Sequence, residues 1–237
     1  MYTGNYVYHH DEQSLLGYLA YDDNKSGKRP AVLVVHDWSG RNEFACKKAE
    51  YLAELGYLGF AIDVYGEGRV GDSVEEKQGL MIPFVNDRLL LLKRLQAGLD
   101  AVLQLSEVDT SRVAVIGFCF GGLCALDLAR SGADLKGAVS FHGLLNKPDG
   151  FKDAAIKASI LALHGYDDPM VSPEQVNVFC DEMTEAGADW QVHMYGHTKH
   201  AFSNPNAHDE SLGTIYDPKA EQRSLQAMKN FLAEQFK

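Results

Sequence analysis

The sequence predicts an α/β fold with a mostly parallel central sheet, an antiparallel hairpin at its N-terminal edge, and helices on both faces. Three observations carry this. Short apolar runs alternate with longer segments of helical periodicity, the pattern of strand–helix–strand units. The run Ala31–Val35 (AVLVV) shows no polar alternation, as expected of a strand covered on both faces. A chain of 237 residues without repeats or a Pro/Ser-rich linker suits one large domain, 1–237.

The elements run in order along the chain. Asn5–His9 and Leu15–Tyr21 flank a polar Asp11-Glu12-Gln13 turn and form the edge hairpin. After Ala31–Val35, the residues Ala45, Ala49, Leu52 and Leu55 recur at helical spacing, giving a helix over Asn42–Leu55 that Gly56 ends. Tyr57–Val64 is the next strand, and Gly66, Gly68 and Gly71 break the chain after it. Residues 72–82 carry no readable pattern. A leucine-rich helix spans Asp87–Leu105, followed by the strand Val113–Ile116. Gly121–Arg130 is a helix, and Gly137–Phe141 and Ile160–Leu163 are strands. Ser172-Pro173-Glu174-Gln175 has the form of a capping box with Pro at the first helical position, opening a helix to Ala186. Trp190–Tyr195 is the last strand. Asp217-Pro218 caps a final helix whose Leu225, Met228, Leu232 and Phe236 form one apolar stripe.

Charge and composition exclude several function classes. With 22 basic and 33 acidic side chains, the formal charge is −11. An acidic surface repels phosphate backbones and anionic bilayers, so neither nucleic acid nor membrane is expected as a partner. No apolar run approaches the ~18 residues of a membrane span, and Met1–Asp11 has no basic or apolar leader segment. The four cysteines (Cys46, Cys119, Cys124, Cys180) show no C-x-x-C pair and no zinc-like spacing. They read as reduced thiols of a cytoplasmic protein, with no metal or other cofactor expected. Monomer and homodimer are equally compatible with this pattern.

The most informative stretch is Val113-Ala114-Val115-Ile116-Gly117-Phe118-Cys119-Phe120-Gly121-Gly122. It reads as a strand, a sharp turn and an immediate helix, the geometry of a nucleophile elbow. Small residues two positions either side of the central one prevent collision with neighbouring backbone, and Gly117 and Gly121 supply them. A helix N-terminus presents unpaired N–H groups and partial positive charge, which favour negative charge on the sulfur of Cys119. The Phe120 N–H then points to a developing oxyanion. With 4 cysteines and 22 glycines, G-x-C-x-G arises by chance roughly 0.03 times in such a chain. The competing reading of Cys119 is a small buried hydrophobe; Cys124, in the helix body, fits that description better.

An elbow enzyme has nucleophile, acid and histidine in that chain order. After Ile160–Leu163 comes His164-Gly165-Tyr166-Asp167-Asp168-Pro169, at the strand edge where α/β ligands bind. After the last strand comes Gly196-His197-Thr198-Lys199-His200-Ala201-Phe202. Spacing alone does not separate Asp167 from Asp168 or His197 from His200. A fourth piece, His36-Asp37-Trp38-Ser39-Gly40, follows Ala31–Val35, where the second oxyanion donor of such folds resides.

Together these four pieces resemble the dienelactone hydrolase family of the α/β-hydrolase fold, over nearly the whole chain and in the same order. The family's G-[FY]-C-x-G-G elbow matches Gly117–Gly122, and its G-x-x-D-x-x-V segment matches Gly165–Val171, which implies Asp168. Its H-[SA]-F motif matches His200-Ala201-Phe202, which implies His200. The family's Glu that interacts with the nucleophile is replaced by Asp37, one methylene shorter, and Trp38 matches the second oxyanion donor. Of two arginines that hold a substrate carboxylate in relatives, one position is Asn204 here. The other falls where Lys77 and Arg88 are the available cations, and Arg88 is taken with Asp37 as substrate-binding. The resemblance implies a Cys119–His200–Asp168 triad that cleaves a small ester or lactone through an acyl-enzyme, with Phe120 and Trp38 as the oxyanion hole. The alternatives are a thioesterase or activated-amide hydrolase with the same triad, or a non-catalytic binding protein on this fold.

Overall fold

Apolar residues on both sides of the central strands require cover on both faces, and helices among the described residues supply it. The computed structural model describes residues 1–151 and 154–237. In chain order the main elements are β1 (Tyr2–His10), β2 (Gln13–Tyr21), β3 (Arg29–Val35), α1 (Glu43–Glu54), β4 (Leu58–Ile62), α2 (Val74–Asn86), α3 (Arg88–Leu103) and β5 (Val108–Phe118). Beyond these lie α4 (Phe120–Arg130), β6 (Gly137–Phe141), β7 (Ser159–Gly165), α5 (Pro173–Glu185), β8 (Trp190–Tyr195), β9 (His208–Asp209), β10 (Thr214–Ile215) and α6 (Pro218–Gln235). Eight strands form one sheet in the order β1-β2-β4-β3-β5-β6-β7-β8. The β1/β2 and β2/β4 pairs are antiparallel and the other pairs parallel.

The period of two along β3 decides which helix each side chain meets. Leu33 and Val35 join Leu91, Leu95, Leu123, Val176 and Phe179, the buried residues of α3, α4 and α5. Val32 and Val34 join Ala45, Ala49, Leu52, Met228 and Leu232, from α1 and α6. Each fully buried Leu, Val or Phe contributes about 1.5–3 kcal/mol relative to exposure. A substitution such as Leu33→Asp would place a charge between layers and break the stack. The edge hairpin is tied to this core by Tyr8, whose hydroxyl donates to the Asp63 carbonyl (3.1 Å) and accepts the Asp63 N–H (2.9 Å).

Three expectations change. Residues 72–82 lie largely in α2, whose start is fixed by a Ser73/Glu76 capping box. Only Phe84 of α2 is buried, so no apolar face marks the helix in sequence. β5 begins at Val108, five residues before its apolar run, because Asp109 and Arg112 pair with each other (2.8 Å) on the exposed end of the strand. The short β9/β10 hairpin lies in a segment for which the sequence predicted no element. Among the described residues, no helix is long and apolar enough to cross a membrane.

Candidate active site

The parallel strands end together, and the site is built from the loops that leave them. Val35 pairs with Gly117, Phe118 with Phe141, and Phe141 with Leu163. The loops after β3, β5, β6 and β7 therefore open at one edge, where side chains from distant parts of the chain converge.

Cys119 sits between β5 and α4 with φ 55° and ψ −116°. A non-glycine residue there carries strain on the order of 1–3 kcal/mol, retained only where surrounding bonds enforce it. Those bonds are present. The Cys119 N–H donates to the Phe141 carbonyl at 3.0 Å and to Nδ1 of His142 at 3.2 Å, and its carbonyl accepts the Gly122 N–H at 2.9 Å. The flanking glycines are steric requirements. A Cβ at Gly117 would lie 1.8 Å from the Gly121 carbonyl oxygen, and one at Gly121 would lie 2.2 Å from that of Val35. Phe120 is the first residue of α4, so its N–H has no acceptor within the helix.

The structure separates the two histidines that spacing left open. His200 is buried and its Nδ1 lies 2.7 Å from Oδ2 of buried Asp168, whose Oδ1 accepts the Met170 N–H at 2.8 Å. The carboxylate thus fixes the tautomer, with Nδ1 protonated and Nε2 turned the other way. His197 is fully exposed and faces only Asp167, at 3.8 Å. The His200 backbone is pinned on both sides, its N–H to the Gly213 carbonyl (3.1 Å) and its carbonyl to the Ile215 N–H (2.9 Å). That is the task of the β9/β10 segment.

Among the described residues, Nε2 of His200 is buried without a well-aligned hydrogen-bond partner, and the Cys119 sulfur lies within its electrostatic reach. Burial opposes a charge on this imidazole. The negative charge of a Cys119 thiolate and the hydrogen bond to Asp168 outweigh that opposition and push its pKa up to about 10. The arrangement places the sulfur beside an imidazole whose ring orientation is fixed by a buried carboxylate.

The loop after β3 is also held. Tyr65 donates its hydroxyl to the Trp38 carbonyl (2.9 Å) and stacks on Phe120 with ring centroids 6.0 Å apart. Burial pushes the Tyr65 phenol up, with nearby sulfur and carboxylate charges adding to the effect, so it remains a donor. Asp37 is buried, but its Oδ1 accepts the Ser39 N–H at 2.8 Å in a local turn, and no hydrogen bond joins it to Cys119 among the described residues. One methylene fewer than Glu leaves the carboxylate close to its own backbone.

Arg88, expected from the resemblance to bind substrate, is engaged within the fold. Its Nε and Nη2 donate to the two carboxylate oxygens of Asp127 at 2.6 and 2.7 Å in a buried, bidentate pair. Paired in this way, the guanidinium braces α3 against α4. Lys77 lies beside the loop after β3, its Nζ 5.6 Å from the centre of the Trp38 ring. The Asn204 side-chain oxygen caps its own loop, accepting the Asn206 N–H at 3.0 Å.

Sequence reasoning missed Tyr65, His142 and Ser203. His142 carried a usable signal: it is a polar residue directly after an apolar parallel strand, at the edge where such sheets bind ligands.

The comparisons agree with this architecture. A family model described as "Dienelactone hydrolase family" matches residues 15–236. The crystal structure of a dienelactone hydrolase-like promiscuous phosphotriesterase from metagenomic libraries is 38% identical. The match covers 100% of this chain and 99% of that one, with a TM-score of 0.95. A Bradyrhizobium sp. protein named "Probable 2-oxo-3-(5-oxofuran-2-ylidene)propanoate lactonase" is 31% identical over 200 residues, covering 80% of this chain and 79% of the relative. A Yersinia pestis protein named "Putative carboxymethylenebutenolidase" is 29% identical over 214 residues, covering 83% of this chain and 78% of the relative.

Proposed function

The chain belongs to the dienelactone hydrolase family of hydrolases, and from that premise we propose that it cleaves a small ester or lactone by covalent catalysis with Cys119 as nucleophile. The observation that carries this reading is the buried His200–Asp168 pair, 2.7 Å long, next to a cysteine held in strained elbow geometry.

In acylation the Cys119 thiolate forms a bond to the carbonyl carbon. The resulting oxyanion is held by the N–H groups of Phe120 and Trp38. The C–O bond to the leaving group then breaks, and the departing alkoxide takes the proton from Nε2 of His200. A thioester and a neutral imidazole remain. Thioester formation removes the thiolate charge that held the imidazole's pKa up, so His200 stays unprotonated after giving up its proton and is free to accept one from water. It takes a proton from water as the water oxygen attacks the thioester. Collapse of that intermediate breaks the C–S bond, releases the carboxylic acid and restores the thiolate–imidazolium pair. Asp168 orients the ring and stabilises its charged form throughout.

The test is limited iodoacetamide labelling with peptide mapping, followed by turnover of p-nitrophenyl acetate. Activity is expected to fall in proportion to modification of Cys119 and to be indifferent to Cys46, Cys124 and Cys180. Activity that survives complete modification of Cys119 overturns the reading. A second reading is favoured by the phosphotriesterase relative that matches the whole chain. The same thiolate would attack the phosphorus of a neutral phosphotriester, breaking the P–O bond to the leaving alkoxide or phenoxide, which takes the proton from His200. Water would then cleave the S–P bond to release the phosphodiester. Hydrolysis of diethyl p-nitrophenyl phosphate lost on Cys119→Ala would support this reading.

A further inference from the structure

We propose that His142 is a positioning residue for this reaction, a neutral imidazole that joins the nucleophile's backbone to the loop carrying the catalytic histidine. The inference rests on the assignment of Cys119 and His200 above.

His142 follows β6 and is buried, with a positive φ of 39°. Its own N–H donates to the Leu163 carbonyl at 2.8 Å, so the residue is fixed between the strands that lead to Cys119 and to Asp168. One ring nitrogen, Nδ1, lies 3.2 Å from the Cys119 backbone nitrogen. A backbone N–H can only donate, so Nδ1 is the unprotonated nitrogen and Nε2 carries the hydrogen. Nε2 therefore donates to Oγ of Ser203, 2.8 Å away and fully buried. Ser203 lies three residues beyond His200 on the same loop.

The ring is also a wall. It meets the His200 ring edge-on with centroids 5.1 Å apart, and the Phe202 ring at 5.0 Å. Burial, then the charge on neighbouring His200, holds the His142 imidazole well below its ordinary proton affinity, so it stays neutral beside an imidazolium. A charged side chain here would repel His200 and lose the Nδ1 acceptor. One uncharged ring thus does three things: it supports the strained Cys119 conformation, limits rotation of His200, and bonds the two loops to each other. Productive attack requires the sulfur and Nε2 of His200 to be in register, and misplacement on the order of 1 Å costs about a hundredfold in rate.

The experiment compares His142→Phe, His142→Asn, Ser203→Ala and His142→Phe/Ser203→Ala with the parent protein. It reads kcat and KM for p-nitrophenyl acetate per mole of folded protein, with folding checked by circular dichroism. His142→Phe keeps the ring volume but loses both hydrogen bonds, and its kcat is expected to fall by about tenfold or more with KM held within about threefold. His142→Asn presents an acceptor near the Nδ1 position and should recover part of the loss. In the double variant the two losses should combine to less than their product, because each breaks the same link. Parental kcat in folded His142→Phe, an effect on KM alone, or fully multiplicative losses would overturn the proposal. If His142→Phe does not fold, Ser203→Ala decides: reduced kcat at unchanged KM is expected, and unchanged kcat overturns it. Cys119→Ala in the same assay distinguishes the failures. An inactive Cys119→Ala beside a fully active His142→Phe defeats this inference alone, whereas an active Cys119→Ala defeats the assignment of the nucleophile and this inference with it.

Discussion

Carbamidomethylation of Cys119 should lower the proton affinity of His200. In the proposed mechanism acylation converts a thiolate into a neutral thioester, and alkylation to a neutral thioether would mimic that intermediate. In the unmodified protein burial opposes a charge on the imidazole, but the neighbouring sulfur charge and Asp168 push its pKa up to about 10. Two unit charges about 4 Å apart interact by about 4 kcal/mol at an effective dielectric near 20, equivalent to about three pH units. Removing a negative neighbour disfavours the protonated form, so the midpoint must move down. A fall of about one to three pH units is expected, the smaller value if water enters beside the modified sulfur. The assay is a pH titration of the His200 ring-proton NMR signals before and after alkylation, with His200→Gln used to identify the resonance. A midpoint that stays within about half a pH unit of its original value would refute the thiolate–imidazolium pairing and the base-switching step built on it.

Gly121→Ala should damage both stability and catalysis, since the new Cβ would lie 2.2 Å from the Val35 carbonyl oxygen and 2.6 Å from that of His36. A loss of roughly 1–3 kcal/mol by urea unfolding, with kcat down about a hundredfold, is the expected result; parental activity would mean the elbow tolerates displacement. Arg88→Met should cost about 3–5 kcal/mol by leaving Asp127 buried. The loss should fall at the low end because Nη1 of Arg130 remains 3.4 Å from the Asp127 carboxylate. Activity per folded molecule should persist on neutral and anionic substrates alike, and a selective loss on anionic ones would return Arg88 to the substrate site. Matched neutral and carboxylate-bearing esters should differ in kcat/KM by no more than about fivefold, because a half-exposed Lys77 is a screened cation worth about 1 kcal/mol at most. A preference for the anion far beyond that, weakening as salt rises, would reveal a stronger basic site.

The elbow, the alternation of strands and helices, and the edge hairpin were legible in the sequence because each is a local requirement. Gly117 and Gly121 are needed wherever a strand turns directly into a helix, and a strand covered on both faces must be apolar at consecutive positions, as Ala31–Val35 is. Capping signals at Ser172 and Asp217 likewise concern only their own helices. Helix α2 escaped notice for the complementary reason: it buries little, so burial imposed no period on its side chains. What the tertiary structure decided is which distant groups meet. Asp167 and Asp168, or His197 and His200, are near-equivalent in sequence, yet chain direction at the ends of β7 and β8 sends one pair into the interior and leaves the other facing solvent. Arg88 is a cation in any reading of the sequence, and only the packing of α3 on α4 shows that Asp127 consumes it. The bond from His142 to Ser203 spans 61 residues; no local periodicity or motif encodes such a pairing, because it exists only once the strands are in register and the loops beyond them are fixed in space.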